Sequence, residues 1–304
     1  MGERSSDCSI TNGLKPRGEQ EALEKREKMI EVFDSVPCFS KKDAEDIVAV
    51  VDMLEPYWAR GSGGVFGMGL GVAAKRAARA LNGGGGPRLD YTKRGVNFFT
   101  LGTSSWGEYG NLDFANAHGR RTLMTNELIS KHLGKFYLKM FKALSDHFDV
   151  PVFSPPEVNV PGFHIFTGLE NSPKGLEYGS IHRDCHHIWM EFPFAYTDII
   201  TFTIMLEEPE KGSSMNYWDD EVVSKTIGGH AFGMSNRFRS IGKFMREQLT
   251  RTVKTFDYKI GELVIHDGQT IHQAANMVDT TPKDRRISLH GYGVLTDKGY
   301  IVYF

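Results

Sequence analysis

The feature that most constrains this chain is a change of texture near residue 155. Beyond it, short apolar runs recur at 161–167, 187–192, 197–206, 214–218, 261–266, 285–295 and 299–303. Proline, glycine or acidic turn residues separate most of them, which is the pattern of strands. One helical stretch interrupts the series at about 236–250, with Ile241, Phe244, Met245 and Leu249 on one face. Before residue 155 the periodicity is helical. Leu23, Ile30 and Phe33 share a face over 20–34. Ser40 with Asp43 forms a capping box ahead of the stripe Ala44, Ile47, Val48, Val51 and Leu54, which Pro56 ends. A third helix is predicted over about 123–146 from Leu128, Ile129, Leu133, Phe136, Tyr137, Met140 and Leu144. Helices first and many short strands after argue against an alternating βαβ chain. They predict a mainly antiparallel sandwich or barrel with helices packed outside it.

Composition narrows the function. Thirty-six basic against 38 acidic residues leave a formal charge of -2, so no broad field draws nucleic acid or an anionic membrane. Neither is expected as a partner. The start, MGERSSDCSI, lacks an apolar leader, and the longest nearly apolar run, 198–205, is under half a membrane span. MGERSS fits the loose myristoylation pattern at Ser6, but no polybasic cluster backs it. The expectation is a cytoplasmic protein with a flexible N-terminus over 1–19. The three cysteines, Cys8, Cys38 and Cys185, are too scattered for a disulfide scaffold or a thiolate site. With 11 histidines present, any metal would be held by imidazole and carboxylate.

Two motifs are decoys. Gly69-Leu70-Gly71-Val72-Ala73-Ala74 matches a relaxed dinucleotide fingerprint, yet PYWARGSGG before it is no strand, so the 61–86 region reads as glycine-rich loop or tight packing. His182-Arg183-Asp184 spells the kinase catalytic triplet, but Trp189 stands where the kinase asparagine belongs and no Asp-Phe-Gly follows.

The same triplet has another chemistry. On an extended strand His182 and Asp184 point to one side and form a two-ligand edge for a divalent metal. A histidine and a carboxylate completed by a second histidine give the facial arrangement of non-haem Fe(II) sites. Asp146-His147-Phe148-Asp149 also contains histidine-x-aspartate, but at a helix end. His272 follows the turn Asp267-Gly268 and begins another extended piece; His266, in the preceding strand, is the rival third ligand. Arg286 and Ser288 share a face of a later strand and can hold a carboxylate together.

His182-x-Asp184, Gly261 eleven residues before His272, and Arg286-x-Ser288 fourteen residues after it resemble the Fe(II)/2-oxoglutarate-dependent oxygenase superfamily. The resemblance covers roughly 155–304. It implies a double-stranded β-helix (jelly-roll, cupin-like) core, with His182, Asp184 and His272 on iron and Arg286 with Ser288 gripping the distal carboxylate of 2-oxoglutarate. It implies one domain over 20–304: a helical, loop-rich front at 20–154 and a jelly-roll core at 155–304 with an insertion at about 207–260. The implied reaction oxidises an unactivated C–H bond of a small molecule with O2, most often by hydroxylation, and releases succinate and CO2. Asp184 argues against halogenation, since the family's halogenases replace that ligand by a small residue. His186 is a candidate for lining the cavity, on the side of His182 and Asp184. Trp106, Trp189 and Trp218 read as substrate wall or as core. Asp219-Asp220-Glu221 reads as a solvated turn. The basic group Arg237, Arg239, Lys243 and Arg246 belongs to a lid or a solvated helix. A ligand-binding barrel without turnover, or a cupin-type metalloenzyme without 2-oxoglutarate, is the alternative.

Overall fold

A computed structural model describes residues 33–60, 96–102, 112–169, 182–184, 195–219 and 250–304. The terminus 1–19, nearly all of the 20–34 helix, the glycine-rich 61–86 region, the 187–192 strand and the 236–249 helix lie outside the described residues. So do His186, Trp106, Trp189, Asp220, Glu221, Arg237, Arg239, Lys243 and Arg246.

Helix α1 (Lys41–Met53) starts where the sequence places it. The Ser40 hydroxyl accepts from the Asp43 amide at 3.1 Å, and the Asp43 carboxylate accepts from the Ser40 amide at 2.9 Å. Helix α2 (Leu112–Phe148) contains the predicted 123–146 stripe and begins earlier. Both helices bury their apolar stripes in one core that also holds Ile200, Phe202, Ile204, Leu206, Leu263, Ile265, Ile287 and Leu289.

Among the described residues, twelve strands form two antiparallel sheets, apart from one parallel pairing. The larger sheet runs β1 (Asp34–Pro37), β9 (Glu262–Asp267), β6 (Ile199–Glu207), β11 (Arg285–Thr296), β5 (Gly162–Gly168), β3 (Val96–Leu101) and β2 (Ala59–Arg60). Strand β12 (Gly299–Tyr303) pairs with the far end of β11, and β4 (Val152–Phe153) lies parallel to β12. The smaller sheet is β10 (Ile271–Ala274), β7 (Met215–Trp218) and β8 (Lys254–Phe256). An isolated bridge from His182 to His272 adds one more extended piece beside β10. From β5 onward, successive extended segments therefore fall in the large sheet, the small, the large, the small twice, then large, small and large. That alternation is a jelly roll, as expected.

Two departures from the sequence reading stand out. Asp34, the last residue of the segment read as helix, instead opens edge strand β1 with the three residues after it, because β9 offers an open row of backbone partners. The front half was expected to supply helices, yet Val96–Leu101 extends the large sheet beyond β5. Strand β7 falls on the run expected at 214–218, and both it and β8 lie inside 207–260.

Period-two alternation sorts the side chains. On β6 and β11, Ile200, Phe202, Ile204, Ile287 and Leu289 face the helices. Thr201, Thr203, Arg286, Ser288 and His290 occupy the opposite face, towards the small sheet. A bulge opposite Ile287 and Ser288 puts Leu206 and Glu207 both on the helix side. There Arg285 makes a bidentate pair with Glu207, at 3.0 and 2.6 Å, and reaches Asp52 of α1. Gly261 enters β9 at φ +82°, a conformation that favours glycine, and its carbonyl accepts from Phe39 at 2.8 Å. A Cβ there would meet that same backbone at 2.2 Å. Among the described residues no helix is long and apolar enough to cross a membrane.

Candidate metal centre and its ligand pocket

His182 and His272 are directly opposed and exchange both backbone hydrogen bonds, at 3.0 and 2.9 Å. Their rings consequently lie side by side, with centroids 4.5 Å apart. The Asp184 amide donates to the Gly268 carbonyl at 3.0 Å, which ties the second ligand position to the turn before β10. Ligand atoms of His182, Asp184 and His272 all lie within 4.8 Å of one another. The Asp184 carboxylate stands 3.5 Å from Nε2 of His182 and 3.4 Å from Nε2 of His272.

The surroundings suit a metal. Asp184 is buried, and Thr201 Oγ1 donates to its Oδ2 at 2.9 Å, fixing the carboxylate's rotation. His272 Nδ1 lies 2.9 Å from the Thr270 carbonyl, which can only accept, so Nδ1 carries the proton and Nε2 keeps its lone pair. Burial pushes the His272 imidazole down to about 3, so it is neutral, the form that coordinates. Two imidazoles and one carboxylate, with no thiolate, form the donor set that suits Fe(II) with open positions.

The rival ligand His266 is buried on β9 with its ring edge-on to His272 at 4.9 Å. Its Nδ1 donates to the Asp267 carbonyl at 2.8 Å, and it is not among the three converging groups. His147, in the other histidine-x-aspartate, pairs with Asp34 at 3.3 Å. Trp218 is buried on β7, and Asp219 pairs with Lys254 at 2.8 Å.

Arg286 and Ser288 are buried on one face of β11 at 6% and 3% exposure. The Arg286 guanidinium lies 5.7 Å from the ring centroids of both Phe166 and Tyr258, and its Nε has no hydrogen-bond partner. Burial lowers its pKa from the usual guanidinium range, while Tyr258 and Glu208 work against that. A buried cation with an orphaned N–H, on a face lined by hydroxyls, fits an anionic ligand.

Sequence reasoning missed Tyr258. It is buried just past β8, and both the Arg286 cation and the Asp184 anion act on its phenol. No local signal marks it, because its position depends on the small sheet folding over the large one.

No protein-family model matches the chain, and no curated protein matches it. Solved structures do resemble it in outline. A 2OG-Fe(II) oxygenase family oxidoreductase from Burkholderia pseudomallei is 12% identical, with 91% of this chain and 90% of that one covered and a TM-score of 0.40. An N-substituted L-amino acid dioxygenase from Burkholderia ambifaria, in complex with α-ketoglutarate, is 9% identical over 69% of this chain and 86% of that one, at a TM-score of 0.38. A Pseudomonas putida prolyl-4-hydroxylase is 10% identical over 89% and 97%, at 0.34.

Proposed function

We propose that the chain is an Fe(II)- and 2-oxoglutarate-dependent dioxygenase that hydroxylates an unactivated C–H bond of a small molecule. The oxidant is O2, and the co-products are succinate and CO2. The observation that carries this reading is the convergence of His182, Asp184 and His272 on one point of the jelly roll. Fe(II) bound there would supply O2 activation coupled to decarboxylation of the 2-oxo acid.

The chain's own residues do the rest. His182, Asp184 and His272 would hold the metal. Thr201 keeps the Asp184 carboxylate from rotating away. Arg286, with Ser288 beside it, binds the far carboxylate of the co-substrate, and the Phe166 and Tyr258 rings keep water from that charge pair. The near-zero net charge suits a small substrate.

The test is succinate formation from 2-oxoglutarate by the iron-loaded protein, screened against a metabolite library for compounds that stimulate it. Turnover that disappears in Asp184→Ala supports the reading. A folded protein that binds neither iron nor 2-oxoglutarate overturns it. A metal enzyme indifferent to Arg286→Ala would be one that uses no 2-oxo acid.

A further inference from the structure

One aromatic side chain outside the triad reaches it through its neighbours. Phe33 immediately precedes edge strand β1, and continuing the register of that strand sets it opposite His266 of β9. Its ring meets the His266 ring edge to face, with centroids 5.5 Å apart. The same ring packs on the small sheet, 4.7 Å from Tyr217 of β7 and 4.9 Å from Phe256 of β8. Phe33 therefore fills the seam between the two sheets on the β9 side, against the cluster of Met205, Met215, Tyr258 and Val264. The strand behind it is tied down twice. Asp34 pairs with His147 of α2 at 3.3 Å, and the Ser35 hydroxyl donates to Glu262 at 2.6 Å.

Two of the rings that Phe33 touches adjoin the metal ligand His272. Tyr217 stands directly opposite His272 in the β7–β10 register, and the His266 ring lies 4.9 Å from the His272 ring. One turn holds both imidazoles. The Asp267 carbonyl accepts from His266 Nδ1 at 2.8 Å and from the Thr270 amide at 2.9 Å. The Thr270 carbonyl accepts in turn from His272 Nδ1 at 2.9 Å, and the Gly268 carbonyl between them accepts from the Asp184 amide at 3.0 Å. The position of His266 is thus tied to two of the three ligands. A single hydrogen bond at Nδ1 fixes the His272 tautomer but lets the ring tilt unless its flank is filled. His266 fills that flank, and Phe33 backs His266.

We infer that Phe33 is a positioning residue of the metal centre: wedged between the sheets, it holds His266 against His272 and keeps the triad ordered for the ion. This rests on the metal-centre reading above. No bond is made or broken. A smaller side chain at 33 would leave a gap into which the two rings relax, and the ion would then have to order them on binding.

The experiment titrates the full chain with Co(II) and follows the visible absorption of the bound ion, without co-substrate or turnover. Phe33→Ala is expected to weaken Co(II) binding about tenfold and to alter the band shape, as loss of a partner behind the ligands does. Phe33→Leu refills most of the seam and recovers most of the affinity. His266→Leu is expected to lose about as much as Phe33→Ala, and the double variant no more than His266→Leu, because the phenylalanine acts through the imidazole. Ser40→Ala, which weakens the fold far from the seam, is the control and leaves Co(II) affinity and bands unchanged. Should His266→Leu fail to fold, the alanine and leucine variants of Phe33 decide the matter. Wild-type affinity and bands in Phe33→Ala overturn the inference, as do losses that multiply in the double variant. A folded wild-type protein that binds no Co(II) overturns the metal-centre reading itself.

Discussion

The two faces of β6 and β11 share strands, hydrogen bonds and depth, yet differ completely in chemistry. Towards the helices stand Phe202, Ile204 and Ile287, each 0% exposed. Towards the small sheet stand Thr201, Thr203, Arg286, Ser288 and His290, all 8% exposed or less. Burial by itself therefore does not define the core of this protein. The outer face gains roughly 25 cal/mol per Å² of apolar surface removed from water. The inner face gives up that gain and leaves an arginine N–H unsatisfied, at a cost of about 1–3 kcal/mol. A face kept polar at such expense is organised for something that enters it.

Substitutions on the two faces should separate stability from ligand chemistry. The largest effect is expected from Asp184→Ala, which removes a ligand from the triad. Succinate formation should fall by more than the roughly hundredfold that loss of an outer-shell metal partner costs. In metal-free protein the melting temperature should hold or rise, since a buried carboxylate goes with it. Phe202→Ala should do the reverse: about 3–5 kcal/mol lost in urea unfolding, with the KM for 2-oxoglutarate unchanged in protein that remains folded. Arg286→Met should raise that KM about 10- to 100-fold while leaving the urea midpoint where it is or higher. If Arg286→Met unfolds the protein without touching KM, the inner face is an ordinary core and the contrast fails.

Ser40→Ala lies on neither face. It should cost about 1 kcal/mol through the lost helix cap and leave turnover alone. Its partner Asp43 also gives a pH signature. Lys139 first, then the Ser40 amide and hydroxyl, hold the Asp43 carboxyl at about 2, below its ordinary 3.8. A depressed folded-state pKa means that the contribution is present above pH 3.8 and is lost as pH falls towards 2. Acid unfolding of Lys139→Met should show less of that component, the Ser40 share remaining. This is the smallest effect, because the pair is largely solvated.

What was legible in the sequence was local or periodic. The Ser40 cap needs only three residues of context, and the α2 stripe needs only the helical period. His182 and Asp184 needed only the pleat of an extended chain to share a side. Arg286 with Ser288 follows the same rule, although their burial does not. What escaped depends on contacts distant in sequence. Asp34–Pro37 becomes a strand because Glu262–Ile265 lies alongside it. Thr203 meets His290 across 87 residues of chain, and within their own strands each looks like a polar interruption of an apolar run. Tyr258 carries no local mark, since the fold of one sheet over the other places it beside Arg286. The choice of His272 over His266, by contrast, came from the spacing of the resemblance: six residues apart, both are buried, and His272 is the one grouped with His182 and Asp184.

The reciprocal backbone bridge between His182 and His272 couples ion binding to sheet closure. Two of the three donors are placed by hydrogen bonds of the chain itself, so much of the ordering cost is met before an ion arrives. Thermodynamic linkage then runs both ways: an ion on the two imidazoles holds the rim closed, and a loosened rim weakens the ion's hold. Stripping the metal with a chelator should therefore speed hydrogen exchange first at the His182 and His272 amides, while those of β6 and β11 stay protected.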